Sequence, residues 1–119
     1  MTGTISRPLC VAAALSGAAG VVFSAIAAHA GGGSLGTAAS FLLMHSPAIL
    51  AVGLVEVGKP MRLSAWLLFA GLTLFAGDLI ARHFGMDRLF PLAAPTGGTM
   101  MIFGWIAIGL AALLPRARA

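Results

Sequence analysis

Three side chains in this chain could carry acid–base or metal chemistry from within apolar stretches: His29, His45 and Asp78. A histidine and a carboxylate can share a proton, and two histidines with a carboxylate make a donor set for a transition metal. Two hydroxyls, Thr96 and Thr99, stand in another apolar stretch and could complete a polar site. The spacing gives metal binding weak support. There is no HxxxH pair and no CxxC, and the three groups would have to converge from separate segments. Met44, Met100 and Met101 read as packing, so no metal and no cofactor are expected. Nucleophilic catalysis has less support still. Ser46 adjoins His45 and therefore points to another helix face, and no G-x-S-x-G occurs. No catalytic residue is assigned, and the chain is not read as an enzyme.

The segments that must position these groups follow from composition. The chain has 119 residues, 60% apolar and 8% charged, with a mean hydropathy of +1.04. A soluble domain carries about 25% charged residues. Too few polar groups exist here to cover a water-facing surface, so lipid is the solvent for most of it. The formal charge of +4 arises from residues at segment ends, which reads as membrane anchoring and excludes a nucleic-acid patch. The single cysteine, Cys10, permits no intrachain disulfide and reads as an inert packed thiol.

Four apolar runs, at about 8–30, 37–57, 62–82 and 92–114, are each long enough to cross roughly 30 Å of hydrocarbon. The first competes with a signal-peptide reading, because Ala28-His29-Ala30 resembles an A-x-A cleavage site. Its apolar run is longer than a usual signal core, which favours a retained helix. Gly31–Gly36 reads as a flexible hairpin and Gly58-Lys59-Pro60-Met61 as a tight basic turn. Pro47 withdraws a hydrogen bond from the Leu43 carbonyl and is expected to kink the second run. Trp66 is an interface anchor, and Glu56 an interfacial partner of Lys59 and Arg62.

Four spans place both termini on one side. That side carries Arg7, Lys59, Arg62, Arg116 and Arg118, against Arg82 and Arg88 with Asp87 on the other. The bias predicts cytoplasmic termini. Short connections make neighbouring spans antiparallel, so the expected fold is an all-α integral membrane four-helix bundle in one domain. Gly17, Gly20, Gly97, Gly98 and Gly104 are expected to let helices approach closely, with Gly109 as a further candidate.

Alternating chain direction puts His29, His45, Asp78, Thr96 and Thr99 in the same half of the bundle. His45 lies deepest, about 12 Å below the end of its helix. Asp78 has two readings, an i,i+4 pair with Arg82 or a carboxylate for His29 or His45. His45 likewise either donates to a carbonyl freed by Pro47 or to a hydroxyl of the fourth helix, or shares a site with Asp78. His29 reads as a loop cap.

Several motifs resemble those of a known family. Ser24-Ala25-Ile26-Ala27-Ala28-His29-Ala30 resembles a G-A-F-G-A-H-A pattern, and Met44–Leu50 a Y-H-A-L-A-L-L pattern. Leu68–Ala81 resembles L-F-x-x-G-x-x-L-F-S-G-S-L. Pro95-Thr96-Gly97-Gly98 followed by Phe103-Gly104-Trp105 resembles a P-x-G-G…G-W signature. These belong to the small four-span membrane proteins of the domain of unknown function 423 family, found in bacteria and, in related form, in eukaryotes. The resemblance runs from about Leu15 to Leu114. It implies the four-helix fold and the bacterial inner (plasma) membrane, and no activity. Asp78 stands where the family pattern more often has Ser, and Ser46 and Pro47 also depart from it. The resulting expectation is an accessory or assembly component, packing with itself as a homo-oligomer or as a subunit of a larger membrane complex. The alternative is a small transporter or sensor of protons, metal ions or small ligands through His29, His45 and Asp78.

Overall fold

The structure, a computed structural model, describes residues 5–31, 33–86, 89 and 91–115. Arg88, Asp87, Arg116 and Arg118, invoked above for orientation, lie outside the described residues. Among the described residues four helices form an antiparallel bundle: α1 (Arg7–Ala30), α2 (Gly33–Leu54), α3 (Lys59–His83) and α4 (Ala93–Leu113). All four are long and apolar enough to cross a membrane. The molecule measures 49 × 26 × 18 Å.

Local signals set the helix ends. Pro8 occupies the first turn of α1, where its missing N–H costs nothing, and the Ser6 hydroxyl accepts from the Leu9 amide. The Ser6 amide in turn donates to the Gly53 carbonyl at 2.7 Å, tying the start of α1 to the end of α2. Pro60 likewise lies in the first turn of α3 and lets that helix begin at Lys59, earlier than residue 62. The expected Gly31–Gly36 hairpin is shorter than its glycine content suggests. Among its described residues Gly31 and Gly33 adopt positive φ, at 85° and 54°, and Gly36 is already helical. Leu35 is fully buried, and burial of that side chain outweighs the weak helix preference of glycine. α2 therefore starts at Gly33 and not at Thr37, and it runs helical through Pro47.

α2 and α3 pack together at the centre. α1 lies on α2, α4 lies on α3, and the backbones of α1 and α4 stay apart among the described residues. The core between them holds Leu9, Leu42, Ile49, Leu68, Leu72 and Met101. Glycines set the two outer seams. On the α3–α4 seam, a Cβ on Gly97 would lie 2.5 Å from the Phe75 amide nitrogen, and one on Gly71 would lie 2.7 Å from the Gly97 carbonyl. Gly104 faces Leu68 as closely as 3.0 Å. On the α1–α2 seam, Gly20 meets Leu43, Gly17 meets the Ser46 hydroxyl, and Gly53 meets Cys10 and Leu9. Gly98 is different, since its Cβ would meet only a Phe75 ring carbon at 3.9 Å, and Gly109 faces open space. Gly53 and Gly71 are seam residues that the reading of small-residue spacings omits.

Candidate functional site

His45 is buried at the middle of α2, and both ring nitrogens are engaged. The Trp105 indole N–H donates to Nε2 at 3.1 Å. An indole can only donate, so Nε2 must be the unprotonated nitrogen. The proton then sits on Nδ1, which donates to the Phe41 carbonyl at 2.8 Å. This is a neutral imidazole of one defined tautomer, assigned from its partners. The acceptor is the carbonyl one turn back from His45 itself, not the Leu43 carbonyl freed by Pro47. The partner on α4 is an indole, not a hydroxyl. Ser46, next in sequence, turns to the other side and packs on Gly17 of α1.

Aromatic contacts extend this join across three helices. Phe41 stacks with His45 at 5.8 Å between ring centroids and meets Phe75 of α3 at 4.7 Å. Trp105 tilts against His45 at 5.8 Å. α4 has few buried residues. The Trp105–His45 bond therefore gives it a polar contact with α2 across the face of α3. Replacing Trp105 by Phe should leave Nε2 unpaired in hydrocarbon and destabilise the bundle by about 1–2 kcal/mol. A cycle with His45→Leu, read by unfolding in mild detergent, should return most of that as coupling between the pair. Additive effects would show that the bond contributes nothing.

Asp78 is buried near the opposite end of α3 from Lys59, 1% exposed. Its Oδ1 accepts from the Leu89 amide at 3.0 Å, so the carboxylate fastens the α3–α4 connection. Its Oδ2 lies 3.3 Å from Nε of Arg82, the i+4 partner. That contact is an ion pair without hydrogen-bond alignment, because Nε is enclosed and has no hydrogen-bond acceptor. The local reading of Asp78 is thus the arrangement observed, with the Leu89 amide as an unforeseen second partner.

The five polar candidates do not converge. His29 is exposed in the last turn of α1 and makes no hydrogen bond among the described residues. His45 sits about seven residues deeper than Asp78, roughly 10 Å along the helix axes. Thr96 is exposed, and its amide donates to the Leu92 carbonyl at 2.9 Å. The Thr99 hydroxyl donates to the Pro95 carbonyl. Asp78 and Thr99 share a surface, a groove of about 590 Å³ between α3 and α4. Among the described residues no three His, Cys, Asp or Glu side chains come close enough to hold a metal. At the termini end, Glu56, Arg62 and Trp66 line one crevice, a polar and aromatic set suited to a membrane interface.

Four apolar spanning helices, with His45 and Asp78 each hydrogen-bonded within the bundle, define a small multi-pass membrane protein. Residues 16–98 match the family model described as "Protein of unknown function (DUF423)", and the chain belongs to that family. The matched segment includes His29, His45 and Asp78 and ends before Trp105.

A "UPF0382 membrane protein" of Haemophilus influenzae is 36% identical over 76 residues, covering 60% of each chain. Proteins of the same family name are 28% identical over 76 residues in Staphylococcus aureus, covering 62% of each chain, and 34% identical over 77 residues in Schizosaccharomyces pombe. The last match covers 60% of this chain and 65% of the relative. The chain thus spans less than two thirds of the length of these relatives. No solved structure matches.

Proposed function

We propose that this protein acts without catalysis, as an assembly or accessory component of a bacterial inner membrane, packing with copies of itself or with a larger membrane complex. Both termini are assigned to the cytoplasm on the basic-residue bias of the sequence. The observation that carries the reading is the exposed flank of α4. Ile102, Phe103, Ile106 and Leu110 face outward there, and α1 leaves that side of the bundle uncovered. In a membrane such a flank meets lipid or another helix, and close helix packing is how spans of this kind associate. A proton or metal role through His29, His45 and Asp78 has less support, because each is placed apart from the other two.

The test is extraction from native membranes in a mild detergent, followed by native electrophoresis and mass spectrometry. A stable species larger than one chain is expected, and it should survive His45→Gln. An isolated single bundle carrying a stoichiometric metal ion would overturn the reading.

A further inference from the structure

The chain leaving α3 turns back along that helix. Gly85, in the left-handed region at φ 82°, follows the helix end. The Met86 amide donates to the Ala81 carbonyl at 3.0 Å, and the Gly85 amide to the Arg82 carbonyl at 3.1 Å. This pair of bonds closes the helix and reverses the chain at once. Further on, the Leu89 amide is held on Asp78 Oδ1, and a Cβ on Gly77 would lie 3.6 Å from the Leu89 side chain. Leu89, six residues past His83, is thus level with residues five and six positions before it. The start of α4 agrees with that level. Gly97 faces Leu74 and Phe75, which puts Ala93, one turn further out, beside Asp78.

The depth follows from α3. Its stretch between Arg62 and Arg82 is about 30 Å long, the thickness of the hydrocarbon core. Arg82 and His83 therefore mark the boundary at this end, and Asp78 lies about 6 Å inside it. Leu89 and Leu92 are more than half exposed near that depth, and Phe84 and Met86 are equally exposed at the turn. Leaving such side chains in water would forgo about 1.5–3 kcal/mol for each. The α1–α2 connection at the same end differs, since Gly31, Gly33 and Ser34 present no large apolar group. The backbone is fitted to the same depth. Non-helical chain inside a membrane needs its polar groups satisfied by the protein. Asp78 takes the Leu89 amide, Pro91 has no N–H, and the Leu92 carbonyl accepts from the Thr96 amide at 2.9 Å.

We infer that the α3–α4 connection is an interfacial lip whose partner is the lipid leaflet at this end. Leu89 and Leu92 insert among the acyl chains just below the headgroups, Phe84 and Met86 rest at the boundary, and Asp78 holds the connection down. Anchors and inserted side chains belong to one chain, so the insertion is independent of the assembly role.

The test places a bimane fluorophore on single cysteines in full-length protein carrying Cys10→Ala. One chain per phosphatidylcholine nanodisc ensures that no second copy covers the label. Leu89→Cys and Leu92→Cys carry it in the connection, Ile106→Cys on the exposed face of α4, and Lys59→Cys at the opposite, aqueous end of α3. Phosphatidylcholine brominated near the headgroup end of its acyl chains should quench the Leu89 and Leu92 labels at least as strongly as the Ile106 label. Iodide, an ion excluded from hydrocarbon, should quench them about tenfold less than the Lys59 label. Asp78→Ala should raise iodide quenching at Leu89 to the Lys59 level, and Asp78→Asn should not. Iodide quenching at Leu89 equal to that at Lys59 with Asp78 in place would show an aqueous loop. Quenching by neither agent would show a connection covered by protein. Either result overturns the inference, as would iodide quenching that Asp78→Ala leaves unchanged. If Asp78→Ala does not fold, the labels in protein retaining Asp78 decide.

Discussion

Replacing Gly97 by valine should detach α4 from α3. A Cβ at this position would lie 2.5 Å from the Phe75 amide nitrogen and 2.6 Å from the Gly71 carbonyl oxygen. Both are backbone atoms, so no side-chain rotation relieves the clash. Overpacking of a flexible core costs about 1–3 kcal/mol, and a backbone-limited site belongs at or above the top of that range. The neighbouring position supplies the control. A Cβ at Gly98 meets only a ring edge at 3.9 Å, and valine there should cost less than about 1 kcal/mol. Equilibrium unfolding of the two variants in the same detergent measures the difference. Equal losses would mean that α4 does not dock through Gly97.

Replacing Asp78 by alanine should release the α3–α4 connection. The change strips the Leu89 amide of its acceptor and leaves the Arg82 guanidinium without its counter-charge. Loss of one member of a fully buried ion pair costs about 3–5 kcal/mol. Arg82 is partly exposed and can turn towards the headgroups, which lowers the expected loss to about 2 kcal/mol. Asp78→Asn keeps an acceptor for Leu89 and should lose less. Amide exchange at Leu89 is the local readout. Rapid exchange is expected in the alanine variant and retained protection in the asparagine variant. Unchanged protection in the alanine variant would show that Asp78 does not hold the connection.

The four spans were legible because each is an uninterrupted apolar run of membrane length. Their ends were less so. Proline and glycine suggested breaks, yet Pro60 fits a helix start and Gly36 is carried into α2 by the burial of Leu35. The pairing of Asp78 with Arg82 was readable, being an i,i+4 relation on one helix. The partners of His45 were not, because the Trp105 contact spans 60 residues and depends on how α4 sits against α2. A signal for it existed. A tryptophan in the middle of a spanning helix carries an N–H that needs an acceptor, and His45 lies at similar depth in α2, which runs in the same direction as α4. The different roles of Gly97 and Gly98 could not be separated by spacing, since one residue of helix rotation moves a glycine from the seam to the groove.

Separation of the polar groups is the central claim, with His45 committed to Trp105 and Asp78 to Arg82 and Leu89. Nitrogen-15 NMR of histidine- and tryptophan-labelled protein in lipid bilayers at neutral pH tests it most directly. The predicted spectrum shows His45 as a neutral imidazole protonated at Nδ1, with its Nε2 in contact with the Trp105 indole proton. An imidazolium, or an Nε2-protonated ring in contact with the Asp78 carboxyl, would contradict the account and restore a shared His45–Asp78 site.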